Sequence, residues 1–95
     1  MRTLLTVPMT LRHLNAAGVG KSRGITLDIS EGGIGALVQG NLHVGETVEI
    51  DLRFPQHPLS TFALVRHTSS ARSGFEFRGL TPEQRKQIAD VAASC

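Results

Sequence analysis

A short polar stretch, Asp28-Ile29-Ser30-Glu31-Gly32-Gly33, carries the side chains best suited to holding a ligand. The Asp28 carboxylate can accept hydrogen bonds from a donor edge such as that of guanine, and the Ser30 hydroxyl can donate to a phosphate or cap a turn. Gly33 allows a positive backbone φ angle or the close approach of a ligand. Because Asp, Ser and Gly also build ordinary hairpin turns, these residues alone favour a plain turn.

Catalysis and metal binding have little support. The four histidines are far apart in the chain, with no paired carboxylate or cysteine at the spacing of metal ligands, and each is interpreted as a surface residue. They are His13, His43, His57 and His67. The single cysteine, Cys95, has no histidine near it in sequence that could activate its thiol. We therefore predict a protein that is not an enzyme and has neither a cofactor nor a metal.

The composition narrows the partners and the compartment. Eight of the ten basic residues among the 95 are arginine. This bias mildly favours an anionic ligand at one defined place, and the composition of a GC-rich genome is the alternative explanation. The basic residues are scattered and the net charge is +2, so we expect no nucleic-acid partner. One cysteine cannot form an intrachain disulfide, and no stretch is long enough for a transmembrane helix. We expect a cytoplasmic location without membrane insertion.

Alternation of apolar and polar residues predicts six strands between about residues 6 and 77. The clearest is Thr47–Phe54, in which every second residue from Val48 onward is apolar. The predicted strands are Thr6–Leu14, Gly24–Ser30, Gly33–Val38, Thr47–Phe54, Ser60–His67 and Arg72–Phe77. We expect Asn15–Ser22 to form a mobile hairpin loop, because it contains Gly18 and Gly20.

The alternation in the strand that leads into the polar stretch predicts which of its side chains face inward. Period two places Ile25, Leu27 and Ile29 on the inner face, so Asp28 lies on the outer face. The Asp28 carboxylate would then be accessible to a ligand.

The last segment changes to helical spacing. Thr81 is suited to the N-cap, Pro82 to the first helical position and Gln84 to the return bond of a capping box. The spacing predicts a helix over about residues 82–93 whose narrow apolar stripe packs on the strands. The stripe comprises Ile88, Val91, Ala92 and Cys95.

These elements predict the fold class. We expect a single all-β domain over residues 1–95: a small six-stranded antiparallel β-barrel with one C-terminal α-helix, since closure removes exposed strand edges. A two-sheet sandwich is the alternative.

Asp28, Ser30 and Gly33 match the Asp/Asn-x-Ser-x-x-Gly motif of the PilZ family, which the chain resembles over nearly its whole length. Gly24–Val38 resembles the hairpin that carries the motif, and Gly74–Phe77 resembles the last strand before a helix. The resemblance implies a β-barrel binding module of bacterial second-messenger signalling whose ligand is cyclic di-GMP.

In that family the ligand is also held by an Arg-x-x-x-Arg segment just before the first strand. The resemblance places those two positions on Arg2 and Thr6, so the second arginine is missing. It thus implies a ligand site of Asp28, Ser30, Gly33 and Arg2. Arg12 and Arg23 are basic residues nearby that could compensate.

Two functions follow from the resemblance. In the first, cyclic di-GMP binds weakly between the N-terminal segment and the hairpin, orders that segment and alters a surface that faces a protein partner. In the second, the same barrel is a protein–protein adaptor that does not bind the nucleotide, as Thr6 favours. The sequence does not identify the protein partner.

Overall fold

The computed structural model describes residues 3–15, 18–55, 57–70 and 72–94. Seven strands and one helix lie in these residues. The strands are β1 (Thr3–Leu4), β2 (Pro8–Asn15), β3 (Gly18–Ile29), β4 (Gly33–Gln39), β5 (Thr47–Leu52), β6 (Leu59–Thr68) and β7 (Ser73–Arg78). The helix, α1, spans Pro82–Ser94.

The strands β2 to β7 form a closed antiparallel barrel. Neighbours pair in the order β3, β2, β5, β6, β7 and β4, and a further pairing of β4 with β3 closes the ring. The short β1 is an additional strand that pairs with β3. The predicted six-stranded barrel with a C-terminal helix is therefore confirmed, and the sandwich alternative is wrong.

The core fills the inside of this barrel. In β5, Val48, Ile50 and Leu52 are fully buried, so the strand predicted from the clearest alternation has the predicted inner face. The side chains buried with them come from every strand except β1, from the adjoining segments and from α1. They are Val7, Met9, Leu11, Ile29, Ile34, Ala36, Phe54, Leu59, Ala63, Val65, Phe75, Phe77 and Ile88.

The helix begins with the predicted capping box. The Gln84 N–H donates to Thr81 Oγ1 at 3.1 Å, and the Thr81 N–H donates to Gln84 Oε1 at 3.0 Å. The Gln84 side-chain amide also donates to the Ser60 carbonyl of β6 at 2.7 Å. Ile88 is fully buried and Val91 partly buried, so the apolar stripe packs on the barrel. Cys95 lies outside the described residues.

The sequence wrongly predicts which side chains of β3 face inward in the part of the strand before Asp28. Ile25 is 41% exposed and Leu27 only partly buried, whereas Thr26 is fully buried. The pairing of β3 with β4 shifts register between Thr26 and Asp28, as in a β-bulge. One extra residue reverses the alternation of a strand, so Ile29 again points inward and Asp28 lies on the outer face, as predicted.

The predicted loop at Asn15–Ser22 is also wrong for most of its length. Gly18–Ser22 belongs to β3 and pairs residue by residue with β2. Gly20 lies opposite His13, and a Cβ atom there would meet the imidazole only at van der Waals distance. The pairing with all eight residues of β2 therefore outweighs the weak strand propensity of glycine.

His13 is buried in the barrel, unlike the surface residue that the sequence predicts. Its Nε2 lies 2.8 Å from Ser22 Oγ and its Nδ1 lies 3.4 Å from Glu46 Oε2. Gly40, which has a φ of 135°, covers this array, because a Cβ atom there would overlap the Ser22 hydroxyl. The array supplies hydrogen bonds to polar groups that would otherwise be buried without partners.

The part of the chain that the structure describes has neither a cluster of metal ligands nor a membrane-spanning helix. No group of three or more His, Cys, Asp or Glu side chains in it could hold a metal ion. None of its helices has the length and the apolar character needed to cross a membrane.

Replacement of a core side chain tests the strand phases. Ile50→Ala and Phe75→Ala should each lower the free energy of unfolding by about 2 to 5 kcal/mol, because both side chains are at most 2% exposed and a cavity would remain. The half-exposed Phe62 is the control, and Phe62→Ala should cost less than about 1 kcal/mol. Urea denaturation measures all three, and equal losses at Phe75 and Phe62 would contradict this core.

Candidate ligand-binding site

The hairpin between β3 and β4 brings the three motif residues together. The Ser30 N–H donates to the Gly33 carbonyl at 2.9 Å, which closes the tight turn that the sequence predicts. The Ser30 hydroxyl is 3.4 Å from the same carbonyl, too far for a strong hydrogen bond. Ser30 is partly exposed, so its hydroxyl can still donate to an incoming group.

Gly33 has a structural role in this hairpin. Its φ is not positive, so the first of its two predicted roles does not apply. A Cβ atom at Gly33 would overlap the carbonyl oxygen of Phe75, because β4 lies close against β7 at this point. The close approach that requires glycine here is therefore that of the neighbouring strand.

Asp28 is held on both carboxylate oxygens. Its Oδ1 accepts from the Gly35 N–H at 3.1 Å, and its Oδ2 accepts from Arg72 Nη2 at 2.9 Å. The Asp28 side chain is 13% exposed and that of Arg72 is 50% exposed. The motif carboxylate is thus fixed in place, and a cation lies beside it.

Arg72 was not among the residues predicted from the sequence. It lies 44 residues after Asp28, in the turn between β6 and β7, and nothing in the local pattern of that turn points to β3. Three hydrogen bonds with Ser69 hold its backbone: the Ser69 N–H donates to the Arg72 carbonyl at 2.9 Å, and the Ser69 hydroxyl bonds both that carbonyl and the Arg72 N–H.

One row of paired residues crosses the outer face at the motif. Leu4, Asp28, Gly35, Gly74 and His67 are successive cross-strand partners in β1, β3, β4, β7 and β6. The two glycines form a floor of bare backbone. The ion pair lies over the first of them and the imidazole ring over the second, since a Cβ atom at either would collide with those side chains. The row thus crosses five strands and brings Asp28 and His67 onto one surface.

The N-terminal segment lies along the other edge of β3. The Leu5 N–H donates to the Leu27 carbonyl at 3.1 Å. The buried Thr26 hydroxyl accepts from the Val7 N–H at 2.9 Å and donates to the Leu5 carbonyl at 2.6 Å. Thr6 lies between these anchors and is exposed. Arg2, the remaining predicted site residue, lies outside the described residues.

The two arginines considered as substitutes do not contact the motif. Arg12 forms an ion pair with Glu49 at 3.2 Å, on the β2 and β5 side of the barrel. Arg23 lines a groove of about 510 Å³ on the outer face of β3 and β4, whose floor includes the paired side chains of Ile25 and Leu37.

The sequence matches a known domain family, and the structure resembles solved domains of that family. A family model described as the PilZ domain matches residues 1–94. The chain resembles the crystal structure of the PilZ domain of CeSA from a cellulose-synthesizing bacterium, with 20% identity and a TM-score of 0.77 over 99% of this chain and 96% of that chain. It also resembles the PilZ domain of YcgR from Escherichia coli with c-di-GMP, with 20% identity and a TM-score of 0.81 over 99% and 87%.

A third structure is longer than this chain. The inhibitor of motility MotI/DgrA of Bacillus subtilis has 17% identity and a TM-score of 0.81, and the match covers 98% of this chain but 48% of that one. The likeness to these structures shows a shared fold. No curated protein matches the sequence significantly.

Adjacent glycines in the hairpin give a test of the structural role of Gly33. Gly33→Ala should destabilise the fold by about 1 to 3 kcal/mol, because the added methyl meets backbone that cannot easily move. Gly32→Ala is the control and should change stability by about 0.5 kcal/mol or less, since Gly32 is exposed and only Ser30 Oγ lies within 4.0 Å. Thermal and urea denaturation would show the difference; equal effects would contradict the close contact with β7.

Proposed function

This chain belongs to the PilZ domain family, and we propose that it is a non-enzymatic module that binds cyclic di-GMP on the outer face of its barrel and passes the signal to a protein partner. The proposed site includes Asp28, Ser30 and Gly33, together with Arg2. A cytoplasmic location is part of the same proposal.

The observation that carries this proposal is the fixed position of Asp28. A carboxylate whose oxygens are already held by Gly35 and Arg72 loses little side-chain entropy when it binds a ligand. It lies on the outer face in the cross-strand row, next to Gly35, and its side chain keeps 13% of its surface exposed. The match to YcgR, solved with c-di-GMP, supports the choice of ligand.

Thr6 explains why we propose weak binding. Side chains two residues apart in an extended chain lie on the same face, roughly 7 Å apart. Thr6 therefore shares the outer face with Leu4, which pairs with Asp28. An arginine at position 6 would reach a phosphate of a ligand held at Asp28, and threonine supplies no charge there.

The same segment indicates how a signal would arise. Residues 3–7 are already bonded to β3 through Leu27 and Thr26, so the ligand need not order this part of the chain. We propose that ligand binding instead changes the conformations of the exposed side chains around Asp28.

The alternative is a protein–protein adaptor that does not bind the nucleotide. Two observations favour it: the neutral Thr6 and the exposed apolar pair of Ile25 and Leu37, each 41% exposed. The adaptor would use the outer face of β3 and β4 for a protein.

Substitution at Thr6 separates the two functions. Thr6→Arg should tighten cyclic di-GMP binding about ten- to hundredfold, because one charge-assisted contact contributes about 1.5 to 3 kcal/mol. Asp28→Ala should weaken whatever binding the unmodified chain has. Isothermal titration calorimetry of the purified variants measures both.

A matched control separates a specific contact from added charge. Thr47→Arg places the same charge on an exposed residue of β5, which pairs with neither β3 nor β4. It should leave the affinity within about twofold of the unmodified chain. If Thr6→Arg does not bind cyclic di-GMP up to roughly millimolar concentration, the adaptor function replaces the proposed one.

A further inference from the structure

We propose that Arg72 reads the O6 atom of a guanine held by Asp28, and thereby makes the site specific for guanine over adenine. This inference rests on the proposed function and assigns a specificity-determining residue to its site. Arg72 belongs to neither of the two motifs that led to the site.

The Arg72 guanidinium lies directly beside the motif carboxylate. Arg72 Nη2 donates to Asp28 Oδ2 at 2.9 Å, so any group that binds the Asp28 carboxylate also meets the guanidinium. The guanidinium lies on the bare backbone of Gly35, where a Cβ atom would be 2.8 Å from Nη2. A side chain at position 35 would displace it, so this glycine makes room for the pair.

Arg72 has more hydrogen-bond donors than its contact with Asp28 uses. A guanidinium has five N–H donors. Within residues 3–15, 18–55, 57–70 and 72–94, the Arg72 guanidinium donates to one acceptor, Asp28 Oδ2. Its side chain is half exposed, so further N–H groups face the solvent beside the carboxylate. These donors are available to a ligand without any rearrangement of the barrel.

The carboxylate and the guanidinium together match the hydrogen-bonding edge of guanine. The Watson–Crick edge of guanine presents two adjacent donors, N2–H and N1–H, followed by the acceptor O6. Asp28 Oδ1 accepts from Gly35 and Oδ2 accepts from Arg72, and each carboxylate oxygen can accept more than one hydrogen bond, so Asp28 can accept from a base while Arg72 stays bound. When Asp28 accepts from the guanine donors, the adjacent Arg72 donor faces O6. Adenine places an amino donor where guanine has O6, so a donor would face a donor.

Arg72 is held in place by the turn between β6 and β7. The three hydrogen bonds between Ser69 and Arg72 fix the backbone from which the guanidinium extends. The hydrogen bond to Asp28 Oδ2 orients the guanidinium itself, so the donor is positioned before the ligand arrives. Other arginines of the same face are engaged elsewhere: Arg66 and Arg78 both form ion pairs with Glu76, at 3.5 and 3.3 Å.

The test compares two cyclic dinucleotides. The unmodified chain, Arg72→Ala and Arg72→Lys are titrated with cyclic di-GMP and with cyclic di-AMP, alone and in the Thr6→Arg background where affinity is higher. The control is Arg78→Ala, which removes an arginine of similar exposure, 55%, from the same β6–β7 hairpin. Thermal unfolding of each variant checks that the fold is retained.

We expect Arg72→Ala to weaken cyclic di-GMP binding about tenfold or more and to leave cyclic di-AMP binding unchanged, so that the preference for guanine falls by the same factor. Arg72→Lys should recover only part of the loss, since an ammonium keeps the charge but not the planar donor fork. Arg78→Ala should change neither affinity by more than about twofold.

Three results would overturn the inference while the proposed function stands. They are an unchanged affinity in Arg72→Ala, an equal loss for both dinucleotides, which indicates a contact to phosphate, and tighter binding, which indicates that Arg72 competes for Asp28. If neither the unmodified chain nor Thr6→Arg binds cyclic di-GMP, the proposed function fails and this inference fails with it.

Discussion

The candidate site depends on the β-bulge between Thr26 and Asp28 in β3. A strand without it would place both residues on the same face, because side chains alternate with period two. With one extra residue, Thr26 points inward and anchors the N-terminal segment, while Asp28 lies on the outer face beside Gly35. One irregularity of the backbone thus joins the two halves of the proposed site, and closure of the barrel then fixes their surroundings.

Closure matters because it brings distant parts of the chain to this hairpin. Pairing of β4 with β7 places Gly74 next to Gly35 and the turn of Arg72 over the motif. The two glycines leave no side chains of their own in this part of the row, so polar groups from neighbouring strands can lie across it. The site therefore lies on a row of five strands, although the motif occupies only one hairpin.

The electrostatics of the site differ from what the motif alone implies. The missing arginine at Thr6 removes one cation from the N-terminal side, and Arg72 supplies a cation from the opposite side of β3. In the site that we propose, a cation that pairs with the motif carboxylate would contact a base, whereas one at position 6 would contact a phosphate. The two positions are therefore not equivalent, and the loss of one does not imply the loss of the other.

Local patterns in the sequence determined much of this protein. The capping box of Thr81 and Gln84 joins residues three apart, and the alternation of β5 is visible within eight residues, so both could be predicted. The match of Asp28, Ser30 and Gly33 to a known motif indicated the hairpin and the family. The bulge at Leu27 is visible only in the tertiary structure, because the apolar residues Ile25 and Leu27 follow the alternation expected of an inward-facing strand. The tertiary structure alone revealed Arg72, since the contact with Asp28 spans 44 residues and depends on barrel closure, which leaves no local signal in the chain.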